Sequence, residues 1–455
     1  MVTELQLDSG DTAWLLISTA LVMLMTPGLA FFYGGLTRNK NVLGTIMQSF
    51  ICLGLITVLW VIVGYSLAFG QDRLAGFIGD PRTFFGMKDV KADNAIALAP
   101  TVPHQAYMLF QLMFAIITPA LITGAFAERA KFSAVLIFLG AWSLLVYSPI
   151  AHWVWGGGWL ASIGWLGDRF ALDFAGGTVV HINAGIAALV AAVLFGKRIG
   201  FGKEPMEPHD ITMVVLGAAL LWFGWFGFNA GSAVAASGLA SNAFMSTHIA
   251  TAAAALTWTG LSWVFLGKPS VVGAAAGAVA GLVAITPAAG FVDAMPALVI
   301  GIGAGTFCYF AVRARAAIGL DDSLDVVGVH GVGGIWGALA TGLFASTAAA
   351  GFGADGLLEG EPMQFVVQLV AVGVTIAYSG VVSLLILKAI DLLVGLRVTE
   401  AEEALGLDAS QHGERAYVFD MGSLGVPAAA PSYMVVDREQ AARRFQTAQP
   451  GESPA

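Results

Sequence analysis

The stretch from Asp173 to Leu189, DFAGGTVVHINAGIAAL, carries a histidine in the middle of an otherwise uncharged apolar run. A second histidine of this kind, His330, stands far downstream in DVVGVHGVGGIWGAL. Gly-Ile follows each at the same distance, as Gly185-Ile186 and Gly334-Ile335. An aspartate precedes each where a helix is expected to begin, Asp173 in one case and Asp325 in the other. His181 and His330 therefore read as one motif used twice, with Asp173 and Asp325 as its matched starts.

The solvent of this motif is lipid. Hydrophobic residues make up 57% of the chain and charged residues 11%, less than half the share of a soluble domain. Uncharged runs recur that are long enough to cross a hydrocarbon core of about 30 Å, which takes about 20 helical residues. Spans are predicted at 12–35, 42–69, 105–127, 133–156, 174–196, 211–235, 244–266, 270–290, 295–313, 326–348 and 363–395. Each is expected to be a helix, because an open sheet edge has no hydrogen-bond partner in lipid. The fold class is an all-α integral membrane protein with eleven transmembrane helices. Residues 1–396 form the membrane domain and 397–455 a polar tail, whose start, RVTEAEEALGLDASQHGERAYVF, can order against that domain and whose end, QTAQPGESPA, reads as disordered.

The acidic opening, MVTELQLDSGD, lacks the basic region of a cleavable signal, so the first span is expected to be retained. Cys52 and Cys308 both fall inside apolar runs and read as packing residues. The net charge of −9 gives no footprint for nucleic acid. Arg38, Lys40, Arg129, Lys131, Lys197, Arg198, Lys203, Lys268, Arg313 and Arg315 fall between spans on one side, against Arg73, Arg82, Lys88, Lys91 and Arg169 on the other. By the positive-inside rule the N-terminus is outside and, with eleven spans, the C-terminus is cytoplasmic.

Spans one to five and six to ten each end on a histidine helix, and five spans per half turn the halves upside down relative to one another. An inverted repeat with a site near the bilayer midplane follows, plus a long eleventh helix. Counting 1.5 Å per residue inward from Asp173 and Asp325, taken as the two membrane surfaces, leaves the imidazoles about 10 Å apart in depth. A lone intramembrane histidine such as His152 or His248 is as readily a hydrogen-bonded core residue as a functional one. The matched pair is different, because the desolvation cost is borne twice. Such a pair can relay protons, ligate haem or hold a polar substrate. Haem is disfavoured by the 10 Å offset, since two axial nitrogens stand about 4 Å apart.

The outer ends of spans four and six carry AHWVWGGGW (151–159) and FGWFGFNAGS (223–232). Indole faces with a serine hydroxyl suit a small cation, although tryptophans at that level also serve as interface anchors. Phe110 and Phe114, one turn apart, are placed to narrow a pore beneath them.

Together these segments resemble the ammonium transporter family, the Amt, Mep and Rh proteins, in its bacterial Amt form. The resemblance runs over roughly 10–420 and rests on PGLAFFYGGLTRNKN (27–41), AERAKFSAV (127–135), IAHWVWGGG (150–158), DFAGGTVVHINAG (173–185), GWFGFNAGS (224–232) and DDSLDVVGVHGVGG (321–334). The loop at 70–104 matches poorly. The resemblance implies ammonium transport across the cytoplasmic membrane, not an enzymatic reaction, with no cofactor or metal. It implies that Trp155, Phe114 and Ser232 recruit ammonium, with Phe110 as a vestibule neighbour. Phe114 and Phe228 would form the gate, His181 and His330 the twin-histidine pore, Trp225 a pore-lining aromatic, and Asp173 an acid beneath the recruitment site. It further implies a homotrimer in the lipid bilayer and a PII-type signalling protein docking at the cytoplasmic face. A sensor that binds ammonium and signals through a partner is the alternative function.

Overall fold

The computed structural model describes residues 6–167 and 169–417. Ten helices among them are long and apolar enough to cross a membrane: α1 Ser9–Leu36, α2 Asn39–Phe69, α3 His104–Ala125, α4 Phe132–Ala161, α5 Gly177–Phe195, α6 Ile211–Ala233, α7 Gly238–Leu266, α9 Ala294–Ala317, α10 Val327–Phe344 and α11 Pro362–Val394. An eleventh, α8 (Val271–Ile285), is shorter, and beyond it the chain turns at Thr286-Pro287. These are the eleven expected segments. Their starts follow local chemistry: Asp8, Asp210, Ser237 and Ser270 each accept the backbone N–H three residues on, capping α1, α6, α7 and α8. The expected disorder of QTAQPGESPA lies outside the described residues.

The halves meet along two seams, each between helices at the same place in its repeat. Along the first seam, α1 lies on α6, where a Cβ at Gly217 would stand 2.3 Å from the Phe32 amide nitrogen and one at Gly224 2.3 Å from Met25 Cγ. Along the second, α5 crosses α10, with Gly185 against Gly331 and Gly334 against Ile182. Gly185 and Gly334 each stand four residues after a histidine, and Ile182 and Gly331 one residue after, so the two contacts exchange under a twofold operation. The small residues let backbones touch, which is how helices associate where lipid removes the hydrophobic drive. The repeated Gly-Ile of the sequence is thus the crossing point.

Alternate loops gather on opposite faces. On one face Arg38 pairs with Glu128 (2.7 Å), Glu128 with Arg198 (3.0 Å), and Arg198 with Asp321 (2.7 Å). Burial pushes the Glu128 carboxyl up, but the Arg198 and Arg38 guanidiniums outweigh it and hold the group below the usual range. The tail joins this face: Arg397 pairs with Glu403 (2.7 Å), Glu403 accepts from the Ile199 N–H (2.7 Å), and Asp408 accepts from the Gly44 N–H (2.8 Å). The opposite face carries a short hairpin, β1 (Asp72–Arg73) with β2 (Ile78–Gly79), and the Arg169–Glu361 pair. In α3, 94% of the most apolar window is buried, against 28% in α2, so α3 is the wall around which the path is built.

Candidate functional site

A vestibule of about 270 Å³ opens on the hairpin face, lined among others by Tyr107, Gln111, Phe114, Trp155, Phe174 and Ser232. Trp155 ends a turn at the close of α4, where its indole N–H donates to the Asp173 carbonyl (2.9 Å) and fixes the ring. Ser232 donates its hydroxyl proton to the Phe228 carbonyl (2.9 Å), leaving the oxygen lone pairs as acceptors. Phe114 stands edge-on to Trp155, with ring centroids 5.8 Å apart. The site so made offers π-faces and an oxygen acceptor and suits a small cation that donates hydrogen bonds.

Beneath it the way narrows. Phe114 and Phe228 meet with centroids 4.3 Å apart, and both are 1% exposed. Phe110 does not line the vestibule. It is fully buried behind Phe114, at a centroid distance of 4.9 Å. Below the phenylalanine pair lies a cavity of about 50 Å³ whose walls are apolar apart from a few groups, among them His181, His330, Tyr33, Trp225 and Asp325.

The two imidazoles are in contact. His181 Nδ1 and His330 Nδ1 are 3.3 Å apart and the rings stack at 5.3 Å between centroids. The expected 10 Å offset in depth is wrong, for two structural reasons. Asp173 does not mark a membrane surface: it is 6% exposed and sits in a non-helical stretch that re-enters the protein. The helices α5 and α10 begin only at Gly177 and Val327, so each histidine lies in a first, widened π-helical turn, and the glycine crossing closes the remaining gap. The haem reading fails for the opposite reason to the one expected, since 3.3 Å is too short for an iron to stand between nitrogens that need about 2 Å each.

The matched aspartate is also corrected. Asp322, not Asp325, stands eight residues before His330, as Asp173 stands eight before His181. Asp322 Oδ2 accepts from the N–H five residues on (Val327, 2.8 Å), as Asp173 Oδ2 does (Thr178, 2.9 Å). Asp173 caps α5 with its whole carboxylate, which also accepts from the Gly176, Gly177 and Val179 amides and the Thr178 hydroxyl. Burial pushes this carboxyl up on balance, against the pull of the Thr178 hydroxyl and the Val179, Thr178 and Gly177 amides. It lines neither vestibule nor cavity, and reaches Trp155 only through its carbonyl.

Thr286 links His181 to Trp225. Trp225, stacked on His181 at 5.4 Å, donates its N–H to Thr286 Oγ1 (2.9 Å), while the Thr286 hydroxyl donates to the Leu282 carbonyl (2.7 Å). The remaining lone pair of Thr286 faces His181 Nε2 at 3.4 Å and can accept a hydrogen bond from a proton carried there. With the His181 proton on Nε2 its Nδ1 is bare, and in that tautomer the contact between the rings is made by the proton on His330 Nδ1. Thr286 is a site residue that the sequence did not reveal, an isolated threonine in an Ala-rich run with no spacing to flag it. Of the lone histidines, His152 is held by the Ala68 carbonyl (2.9 Å) and Asp72 (3.1 Å), the structural reading. His248 packs at a tilt against Trp222 and Phe226, away from the path.

Comparison with known proteins gives one family and one fold. Residues 13–417 match the model of the Ammonium Transporter Family. An ammonium transporter of Bacillus subtilis is 46% identical over 414 residues, covering 90% of this chain and 99% of that one. An ammonium transporter of Aquifex aeolicus is 50% identical over 417 residues, covering 91% and 95%. Among solved structures, Saccharomyces cerevisiae Mep2 superposes with a TM-score of 0.80 at 37% identity, covering 87% of this chain and 91% of that one. Candida albicans Mep2 does so with a TM-score of 0.81 at 38%, covering 87% and 88%.

Proposed function

The chain belongs to the ammonium transporter family, as a multi-pass membrane protein that moves ammonium and is not an enzyme, and on that premise we propose how its side chains do so. Ammonium is recruited between Trp155, Phe114 and Ser232, where two π-faces and a free oxygen replace part of its water. It gives a proton to vestibule water before the Phe114–Phe228 constriction, because carrying a bare charge into a dry apolar cavity is costly while carrying ammonia is not. Ammonia crosses past Trp225 and the imidazoles, and the proton is handled by the His181–His330 pair, whose facing nitrogens hold one proton between them. Asp173 acts from behind, by fixing α5 and, through its carbonyl, Trp155. Ions that cannot shed a proton, such as potassium, are refused by the same cavity.

The observation that carries this reading is a direct imidazole contact in a narrow apolar cavity under a closed pair of phenylalanines. The orientation we propose follows the Lys and Arg bias: the vestibule and hairpin face the outside and the tail faces the cytoplasm. The family resemblance supports a homotrimer in the cytoplasmic membrane and a PII-type protein that docks on the tail-bearing face, where the tail is already tied to the loops. The test is a concentration jump on purified protein adsorbed to a solid-supported membrane. Ammonium should evoke a transient current and potassium none. Equal currents from both would overturn the deprotonation scheme.

A further inference from the structure

His152 stands off the path, three residues before Trp155, and its fully buried ring has an acceptor at each nitrogen. Nδ1 is 2.9 Å from the Ala68 carbonyl oxygen at the end of α2, and Nε2 is 3.1 Å from Asp72 Oδ1 in β1. A carbonyl only accepts, and so does an ionised carboxylate. A neutral imidazole carries one N–H, so by itself it would turn a bare nitrogen toward an oxygen lone pair on one side. Both contacts are made only when the pair holds one further proton, either on Nε2 facing the carboxylate or on Asp72 facing a bare Nε2. The His152 side chain is 0% exposed and that of Asp72 45%, so this proton exchanges through Asp72 with the water of the hairpin face.

The same residue is the base of the turn that carries Trp155. The Ala151 carbonyl accepts the Trp155 N–H (2.9 Å), and the His152 carbonyl accepts from the Gly156 (3.1 Å) and Gly158 (2.8 Å) amides. A Cβ at Gly156 would overlap the Ala68 oxygen and stand 2.7 Å from His152 Nδ1, so glycine is what lets α2, the imidazole and the turn meet. The hairpin is pinned to the turn at two further points, where Trp153 Nε1 donates to the Phe77 carbonyl (2.8 Å) and the Trp159 N–H to that of Gly76 (3.2 Å). The other charged and titratable groups on the elements packed here are engaged elsewhere: Arg73 and Arg82 with Asp80, Tyr65 with His104, and Tyr378 with the Leu145 carbonyl. Asp72 is the charged group set against His152.

We propose that His152 and Asp72 form a positioning pair for the ammonium vestibule: the proton they share ties the hairpin to the turn that carries Trp155, and its loss to vestibule-side water loosens that turn and weakens ammonium binding. The inference rests on the reading of Trp155 as a recruiting residue, and adds a pair of side chains behind the site that sets its affinity. When the shared proton leaves, Nε2 and the carboxylate face each other with lone pairs only, and an attraction becomes a repulsion. The tie is therefore complete at low vestibule-side pH and lost as that pH rises.

The test is initial transport by the full-length protein in oriented vesicles, measured against the ammonium-ion concentration on the vestibule side while the pH there is taken from mildly acid to mildly alkaline. Half-saturation of the wild type should rise with pH by about threefold, the worth of one modest hydrogen bond, with the maximal rate little changed. Asp72→Ala, a change at a half-exposed side chain, should show the raised value at every pH. Asp72→Asn should restore the low value and hold it across the range, because its amide donates to the bare Nε2 of a neutral imidazole and needs no further proton. Trp155→Leu separates the two readings. If it leaves half-saturation unchanged, the recruiting role of Trp155 fails and takes the pair's role with it. If it raises half-saturation while Asp72→Ala does not, the recruiting role stands and the positioning pair is overturned. An Asp72→Asn that follows the wild-type pH profile would also overturn the pair, since the shared proton would then play no part, and so would a wild-type value that does not change with pH.

Discussion

The vestibule and the histidine cavity are neighbours on one path and differ in nearly every physical respect. Around Trp155 and Ser232 the space is about 270 Å³, with oxygen acceptors and π-faces on show. Around His181 and His330 it is about 50 Å³, room for a few waters at most, and most of its wall is aliphatic or aromatic carbon. A cation can be held in the first, and between the phenylalanine pair and the imidazoles of the second it has little to hold it. The difference teaches that selectivity is divided: the vestibule sorts by charge and size, and the cavity sorts by whether the charge can be left behind.

The largest expected effect comes from disturbing the cavity's geometry without touching its chemistry. A Cβ at Gly334 would stand 3.0 Å from His181 Cβ and from the Ile182 amide nitrogen, so the two methyls of Gly334→Val must push α10 off α5. Ammonium current should be lost while the folded protein still elutes at its normal size, and full current would mean that imidazole contact is not required. Thr286→Val is smaller. It keeps the volume and removes the acceptor shared by Trp225 and His181, and the rate should fall about tenfold, in line with a hydrogen-bond loss of about 1–1.5 kcal/mol. An unchanged rate would show that the proton arrangement on the pair does not depend on Thr286. In the vestibule, Trp155→Leu removes one cation–π contact of about 1 kcal/mol and should raise half-saturation roughly fivefold. If the concentration dependence stayed fixed, Trp155 would not belong to the recruitment site. Smallest of all, Phe110→Leu should change transport less than about twofold, because that ring lies behind Phe114 and not on the path. A loss as large as that of Trp155→Leu would place the vestibule deeper than its lining residues do.

How much of this was legible beforehand varies with the physics involved. Span positions were legible because lipid tolerates little charge: a run expected at 12–35 is Ser9–Leu36, and one at 363–395 is Pro362–Val394. The pairing of halves was legible in the repeated His and Gly-Ile. The contact distance was not, because a count of residues along a straight helix cannot see that Asp173 lies in a re-entrant stretch or that α5 and α10 cross on glycine. The matched aspartate was misassigned by reading the residue nearest His330 as the helix start, although the eight-residue spacing to Asp322 was there to be counted. Thr286 left no trace at all, because its role comes from where Trp225 and His181 converge in space. The aromatic clusters, the serine hydroxyl beside them and the Phe110/Phe114 spacing were legible as a cation-friendly mouth above a narrow pore, but the individual roles of Trp155, Phe228, Trp225 and Ser232 came only through family resemblance, since tryptophans near a membrane surface have a more ordinary explanation.

The central claim is that His181 and His330 act as one unit, and it is tested most directly by comparing single and double alanine variants in the same ammonium-jump current. Two rings with 3.3 Å between facing nitrogens share one proton, so removing either should abolish proton-coupled transport as completely as removing both. Wild-type current with unchanged selectivity over potassium in both single variants would contradict the account and return the two histidines to the role of polar contacts between helices.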